Sequence, residues 1–315
     1  MPETREKVLR AAEQLGYRRT YSRNGHGLST IGLLVKLDPG VSPMTFNPFF
    51  SPIQAGVEQE CRLRRLNLML ATVEVDRSNQ PLAWPRMIED QAVDGLLILG
   101  TNITGIMEPL LRVWMNKPIV LVDSYAPAYP FDSVLIDNFN GAAVAVRHLF
   151  ALGHRHIGLI GSNPNSPPDV LERRQAYLQT TRSLGLETYV EDDVMTREAG
   201  YESLKRLLQR APHVTGVFVV NDDTAIGVLN AARDMGLSVP GELSIVGFDD
   251  IALASEVQPA LTTVHVPKAW LGRLGVRQLI ERVCTPELPR VTISVSTHLV
   301  RRASSAYCLY SNCSS

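Results

Sequence analysis

Two pairs of polar residues stand at the ends of two short apolar runs. Asn221 and Asp222 follow Gly216–Val220, and Asp249 and Asp250 follow Leu243–Val246. Carboxylates and amides grouped in this way form paired hydrogen bonds with a polar small molecule, especially one carrying several hydroxyls. Asp249 and Asp250 could also be read as a catalytic acid pair, but nothing nearby in the sequence supplies a nucleophile.

The elements that hold these groups are legible from periodicity. Gly216–Val220 and Leu243–Val246 are apolar and rich in β-branched residues, and Ala225, Val228, Leu229 and Ala232 between them fall at helical spacing. The unit therefore reads as strand, crossover helix, parallel strand, with its polar residues on the rim where open parallel sheets bind ligands. The same rhythm runs through the chain. Ile31–Val35, Asn67–Val73, Gly95–Leu99, Pro118–Val122, Ser133–Ile136 and Ile157–Ile160 read as strands, and Val291–Val300 alternates as one more. Helices are expected at Phe49–Leu63, Trp84–Ala92, around Met107–Met115, and at Gly141–Leu152, Val170–Leu184, Glu198–Leu208 and Lys268–Val283. Repeated βα units require a parallel sheet covered on both faces, and this many strands fit two doubly wound halves better than one sheet. Further polar residues lie after strands: Asp38, Asp123 and Ser124, Asp137 and Asn138, Ser162 and Asn163. Taken singly each is more readily a turn or helix cap than a ligand contact, and their accumulation on one rim is the informative part.

Composition narrows the class. The 315 residues, 45% hydrophobic, can bury a large core, and 31 basic against 32 acidic side chains leave a net charge of −1. No apolar run is long enough to span a bilayer, and the N-terminus lacks an export signal, so a cytoplasmic protein without a membrane partner is expected. Residues 1–30 are an exception to the charge balance, with six basic and three acidic side chains. That local excess suits either phosphate contact or a solvated helix face. The four cysteines show no metal-ligand spacing. Gly153-His154-Arg155-His156 reads as a glycine cap followed by basic residues at a helix end rather than as a metal site. No nucleotide-binding loop or hydrolase motif is present, and no metal, cofactor or catalytic residue is expected.

Residues 31–302 resemble the effector-binding core of the lactose-repressor/galactose-repressor family of bacterial transcription regulators. The matching stretches are TIGLLV (30–35), NPFF (47–50), VDGLLILGT (93–101), PIVLVD (118–123), SVLIDNFNGAAVAVRHLFALGHRHIGLIG (133–161), ERRQAYLQTTRSLGL (172–186), VFVVNDDTAIGVL (217–229), VPGELSIVGFDDI (239–251) and PALTTVHVP (259–267). The resemblance implies two doubly wound parallel-sheet subdomains joined by a hinge, like the periplasmic sugar-binding proteins, with a small-molecule effector in the cleft between them. It places the N-subdomain at about 31–137 and 267–290 and the C-subdomain at about 138–266 and 291–302. The effector-binding residues it implies are Phe49, Phe50, Asp123, Arg173, Asn221 and Asp249. Arg173 would clamp two hydroxyls or a carboxylate, Asp249 would accept hydroxyl hydrogens, Asn221 would be the ligand asparagine with Asp222 capping the next helix, and Asp250 would brace the loop. Val266 stands where many relatives have glutamine and Met195 where some have an aromatic residue, so no particular hexose is implied.

Residues 1–17 resemble the last helix of the family's helix-turn-helix headpiece, and 18–30 its linker, which makes Arg5, Arg18, Arg19 and Arg23 the DNA-contact candidates. The two preceding headpiece helices have no counterpart in the sequence, so operator binding is expected only if the headpiece is completed upstream of Met1. The expected protein is a repressor of a sugar or related catabolic operon and a homodimer, with a DNA-independent sensor as the alternative. Residues 303–315 match nothing in the family and read as a disordered tail.

Overall fold

The computed structural model describes residues 27–37, 47–114 and 117–308. The headpiece-like helix of residues 1–17, the DNA-contact candidates Arg5, Arg18, Arg19 and Arg23, Asp38 and the end of the tail lie outside the described residues. The chain divides into two compact units. Of the described residues, 27–37, 54–133 and 272–291 belong to the first, and 47–53, 134–271 and 292–308 to the second.

The first sheet contains β1 (Thr30–Leu37), β2 (Asn67–Glu74), β3 (Gly95–Leu99), β4 (Ile119–Val122), β5 (Asp132–Ile136) and β11 (Thr292–Val295), in the order β11-β5-β4-β3-β1-β2. The second contains β6 (Ile157–Ser162), β7 (Tyr189–Asp192), β8 (Gly216–Val219), β9 (Ser244–Asp249), β10 (Thr262–His265) and β12 (His298–Val300), in the order β12-β10-β9-β8-β6-β7. The two orders are the same path walked twice, so β4 and β9 occupy equivalent positions. β1 pairs in parallel with β2 and β3, and β6 with β7 and β8, which makes each of these inner strands the point where the order reverses. Crevices at such reversals, beyond the carboxyl ends of the strands, are where open α/β sheets bind ligands. β3, β4, β8 and β9 are buried throughout, as strands covered on both faces must be.

The helices are α1 (Phe50–Leu63), α2 (Arg86–Glu89), α3 (Thr104–Val113), α4 (Asn138–Ala151), α5 (Pro168–Ser183), α6 (Arg197–Arg210), α7 (Asp222–Asp234) and α8 (Lys268–Cys284). In the first unit, α1 and α8 are joined by a buried carboxylate. Glu60 accepts from Arg64 Nε at 3.1 Å, Arg273 Nε at 3.0 Å and Arg277 Nε at 2.9 Å. In the second unit, α6 and α7 pack backbone to backbone, because a Cβ on Gly200 would stand 2.3 Å from the Thr224 carbonyl and one on Gly227 2.0 Å from that of Arg197. Ala225, Val228, Leu229 and Ala232, the stripe read from the sequence, lie in the core of this unit.

Three expectations are corrected, and two strands, β7 and β10, were not expected. The helix over Trp84–Ala92 is a single turn, α2, begun after Pro85 and closed before Gln91, whose φ of 53° cannot continue a right-handed helix. Val291–Val300 is two strands serving different sheets. β7, too short and polar to stand out by alternation, was not expected at all. The tail reading fails for residues 303–308: Ser304 is fully buried, its hydroxyl donates to the Ile245 carbonyl at 2.6 Å and accepts from Thr262 N at 2.8 Å, and Cys308 N donates to the Leu152 carbonyl. These residues sew the end of the described chain onto β9, β10 and the end of α4.

Candidate functional site

Arg173 sits on α5, almost wholly buried, and its guanidinium is fixed on several sides. Nε donates to Asn138 Oδ1 at 2.9 Å, Nη1 donates to the Val220 carbonyl at 2.8 Å, and the guanidinium carbon lies 4.0 Å from the ring centroid of Phe248. Two carboxylates flank it at ion-pair but not hydrogen-bond geometry, Asp249 at 3.5 Å and Asp169 at 3.8 Å. Asp169 is one turn before Arg173 on the same helix, where an acid in the first turn also meets the positive end of the helix. The planar fork is thus oriented by neutral partners while its charge balances nearby acids, the arrangement that presents paired donors to a ligand.

Asp249 ends β9 with φ of 110°, and Asp250 follows at 53°. Non-glycine residues in this region cost on the order of 1–3 kcal/mol each and cluster where function requires them. Asp249 Oδ1 is buried and accepts no hydrogen bond among the described residues. Burial pushes the Asp249 carboxyl up to about 6, against the opposing charges of Arg173 and Lys268. A buried acceptor in this condition is one that a ligand hydroxyl can satisfy.

The turn carrying Asp249 is held from three sides. The Lys268 ammonium, at the start of α8, donates to the main-chain carbonyls of Asp249 and Asp250, and burial lowers its pKa. Asp250 receives His265 Nδ1 at 2.7 Å and Arg302 Nη2 at 2.6 Å. Burial alone would raise the Asp250 carboxyl, but these two hydrogen bonds outweigh it and hold it below the ordinary range. From beneath, Asp222 Oδ2 accepts from Ile251 N at 2.9 Å and Oδ1 accepts from Thr263 Oγ1 at 2.5 Å. Asp222 is fully buried, and that burial together with the neighbouring Asp249 charge raises its pKa well above the ordinary carboxylate value. Gly247 makes room for it, since a Cβ there would stand 2.2 Å from Asp222 Oδ1.

Asn221 caps α7: its Oδ1 accepts from Thr224 N at 3.0 Å. The sequence reading gave this cap to Asp222, whose carboxylate is instead the pin beneath the 249–251 turn. Capping uses only the Asn221 oxygen, and the amide NH₂ remains as a donor at the end of β8.

Arg173, Asn221 and Asp249 are therefore brought together in the second unit, linked through Val220 and Asp222. Asn138, one of the strand-end residues read from the sequence, completes the arrangement together with Asp169, Phe248 and Lys268, which sequence reasoning did not single out. The i,i+4 spacing of Asp169 and Arg173 was the available signal for one of them. Asp123 belongs to the first unit, where it follows β4, is buried, and has φ of 49°. It is the topological counterpart of Asp249. Phe50 opens α1 and Phe49 precedes it, both half-buried, with ring centroids 5.6 Å apart, and both their main-chain N–H groups donate to Asn47 Oδ1.

Among the described residues no group of three His, Cys, Asp or Glu side chains is suited to a metal ion. His154, in the stretch set aside as a metal site, pairs with Thr215 Oγ1 at 2.9 Å and the Ala306 carbonyl at 3.1 Å. No helix among the described residues is long and apolar enough to cross a membrane.

Paired doubly wound sheets with strained aspartates after equivalent strands, and an arginine oriented toward one of them, define a ligand-binding protein of the periplasmic-binding-protein-like class. Residues 146–305 match the periplasmic binding protein-like domain. The chain is 31% identical to the HTH-type transcriptional repressor PurR of Proteus mirabilis over 316 residues, covering 96% of this chain and 88% of that protein. It is also 31% identical to the ribose operon repressor of Haemophilus influenzae, covering 96% of this chain and 90% of that one. The crystal structure of a LacI family transcriptional regulator from Enterococcus faecium with bound ribose superposes with a TM-score of 0.74 at 25% identity, covering 89% of this chain and 99% of that one. The chain belongs to the LacI family of transcription regulators.

Proposed function

We propose that this regulator is a repressor of a sugar or related catabolic operon, acting in the cytoplasm as a homodimer, and that a sugar or sugar-like metabolite bound by Arg173, Asn221 and Asp249 sets its affinity for operator DNA. The buried, unsatisfied Asp249 Oδ1 beside the oriented Arg173 fork carries this reading. A carboxylate acceptor, paired guanidinium donors and an amide donor match adjacent hydroxyls on a saturated ring, which present both donors and acceptors. The ribose in the Enterococcus structure supports a sugar as the effector class. The family resemblance adds Phe49, Phe50 and Asp123 as further effector contacts, and Arg5, Arg18, Arg19 and Arg23 as operator contacts.

An effector changes DNA affinity only if it binds the two conformations of the regulator unequally, and the coupling is reciprocal. Operator binding by the full chain is measured with and without each sugar of a panel that includes ribose. One sugar is expected to change operator affinity, and operator is expected to change that sugar's affinity by the same factor. A protein that binds a sugar with no reciprocal effect on DNA would be a sensor rather than a repressor.

A further inference from the structure

At the end of the second sheet opposite Asn221 and Asp249, beside the amino ends of β6, β8 and β9, lies a separate cavity of about 820 Å³. Its size is within the range of small-molecule sites. Leu208 from the end of α6, Leu237 after α7 and Leu243 before β9 give it an apolar lining, and Arg155, His156 and His213 line it as well.

These three basic residues are held in specific states. Tyr189 Oη donates to Glu187 Oε2 at 2.7 Å, because a carboxylate can only accept. His156 Nδ1 at 3.1 Å and His213 Nε2 at 3.0 Å must then both donate to the same Tyr189 oxygen. This fixes both tautomers and leaves His156 Nε2 and His213 Nδ1 as the remaining ring nitrogens, with the two rings edge to face at 4.6 Å. Arg155 Nη1 donates to the Phe150 and His154 carbonyls and its guanidinium stacks on Phe150 at 4.0 Å, but no carboxylate pairs with it among the described residues. The one acid in the lining, Glu242, is turned to Ser238 N at 2.7 Å. Apolar walls thus meet a guanidinium and two imidazoles, each imidazole with one nitrogen to offer.

We propose that this cavity is a second ligand site that takes a small organic acid, its apolar chain or ring against Leu208, Leu237 and Leu243 and its carboxylate on Arg155, His156 and His213. Such a ligand favours the protonated form of His156. Against that stand burial and the neighbouring His213, which hold the His156 pKa below its ordinary value, while Glu187 pulls it up. Binding therefore takes up a proton at His156, and affinity rises as pH falls.

The test is calorimetric titration of the full chain with hexanoate and with phenylacetate, using hexanol and acetate as the neutral and the tail-less comparisons. At least one of the two acids is expected to bind saturably, more tightly at about pH 6 than at about pH 7.5, with acetate silent and hexanol weaker. Arg155→Gln and His213→Gln are each expected to weaken that acid about tenfold. Met235→Trp, at a partly exposed lining residue, is expected to block it without moving the thermal midpoint or sugar binding. Binding by neither acid, hexanol equal to hexanoate, an affinity flat with pH, or acid binding unchanged by His213→Gln and Met235→Trp would each overturn the proposal.

Discussion

Arg173 Nη1 stands 3.5 Å from Asp249 Oδ1, an ion pair without a hydrogen bond. Nη1 already donates to the Val220 carbonyl, so Asp249 keeps an acceptor that the protein does not fill. That relationship shapes the behaviour expected of the proposed effector site.

Asp249→Asn should stabilise the unliganded protein near neutral pH while abolishing effector binding. The folded-state pKa of Asp249 is raised to about 6 from an ordinary 3.8, so its contribution to stability is greatest below about pH 4 and is lost as pH rises through 6. Above that window the ionised carboxylate costs about 3 kcal/mol relative to a neutral group, by the conversion of a pKa shift to free energy. Denaturant unfolding at several pH values should show the variant exceeding the natural protein above about pH 6 and converging with it near pH 4. Equal stability at all pH values would contradict the burial argument.

Effector affinity should fall with acid. A hydroxyl donating to Asp249 needs the ionised form, so protonation competes with binding, and affinity should drop about tenfold per pH unit below about 6. Titration calorimetry in buffers of different ionisation enthalpy should show a proton released on binding in that range.

Arg173→Lys keeps the charge but loses the planar fork. Binding should weaken by about 100-fold or more, in line with the few kcal/mol that buried, hydrogen-bonded charges contribute. Thermal midpoint and effector affinity measured on the same sample separate loss of the site from loss of the fold.

Gly247→Ala should distort the turn that carries Asp249. The added methyl meets Asp222 Oδ1, displacing the carboxylate that holds Ile251 N and Thr263. The expected result is a destabilised second unit and weakened sugar binding. Amide exchange at Ile251 should accelerate, and protection unchanged there would show that Asp222 is not the anchor.

Glu60→Gln should flatten the acid limb of the stability curve. Burial alone would raise the Glu60 carboxyl, but hydrogen bonds from Arg277, Arg273 and Arg64 outweigh it and lower it to about 2. Its stabilisation is present above the ordinary value of 4.5 and is lost as pH falls toward 2. Unfolding followed between those values should be less pH-dependent in the variant.

The parts of the fold legible in the sequence were those with strong periodicity. β8, α7 and β9 stood out because buried parallel strands are continuous apolar runs and the helix between them carries a clear stripe. β7 did not, because two of its four residues are acidic and it forms no continuous apolar run, and α2 was read too long because nothing in the sequence marks the left-handed turn at Gln91 that closes it. The break between β11 and β12 was hidden because alternation continues across it while the hydrogen-bond partners change. Among site residues, Arg173, Asn221 and Asp249 were accessible through motif and strand-end position. Asn138 was noted only as a strand-end residue and Phe248 not at all, since their role in orienting Arg173 arises only when α4, α5 and β9 come together. Asp222 was misread as a cap because sequence shows which residues precede a helix but not which of them turns inward to Thr263 and Ile251.

The most direct test of the account is calorimetric titration of a sugar panel against the natural chain, Asp249→Asn and Arg173→Lys, with thermal midpoints recorded in parallel. At least one sugar is expected to bind the natural chain, and both variants are expected to lose about 100-fold or more of that affinity while remaining folded. A sugar bound with equal affinity by all three proteins would contradict it.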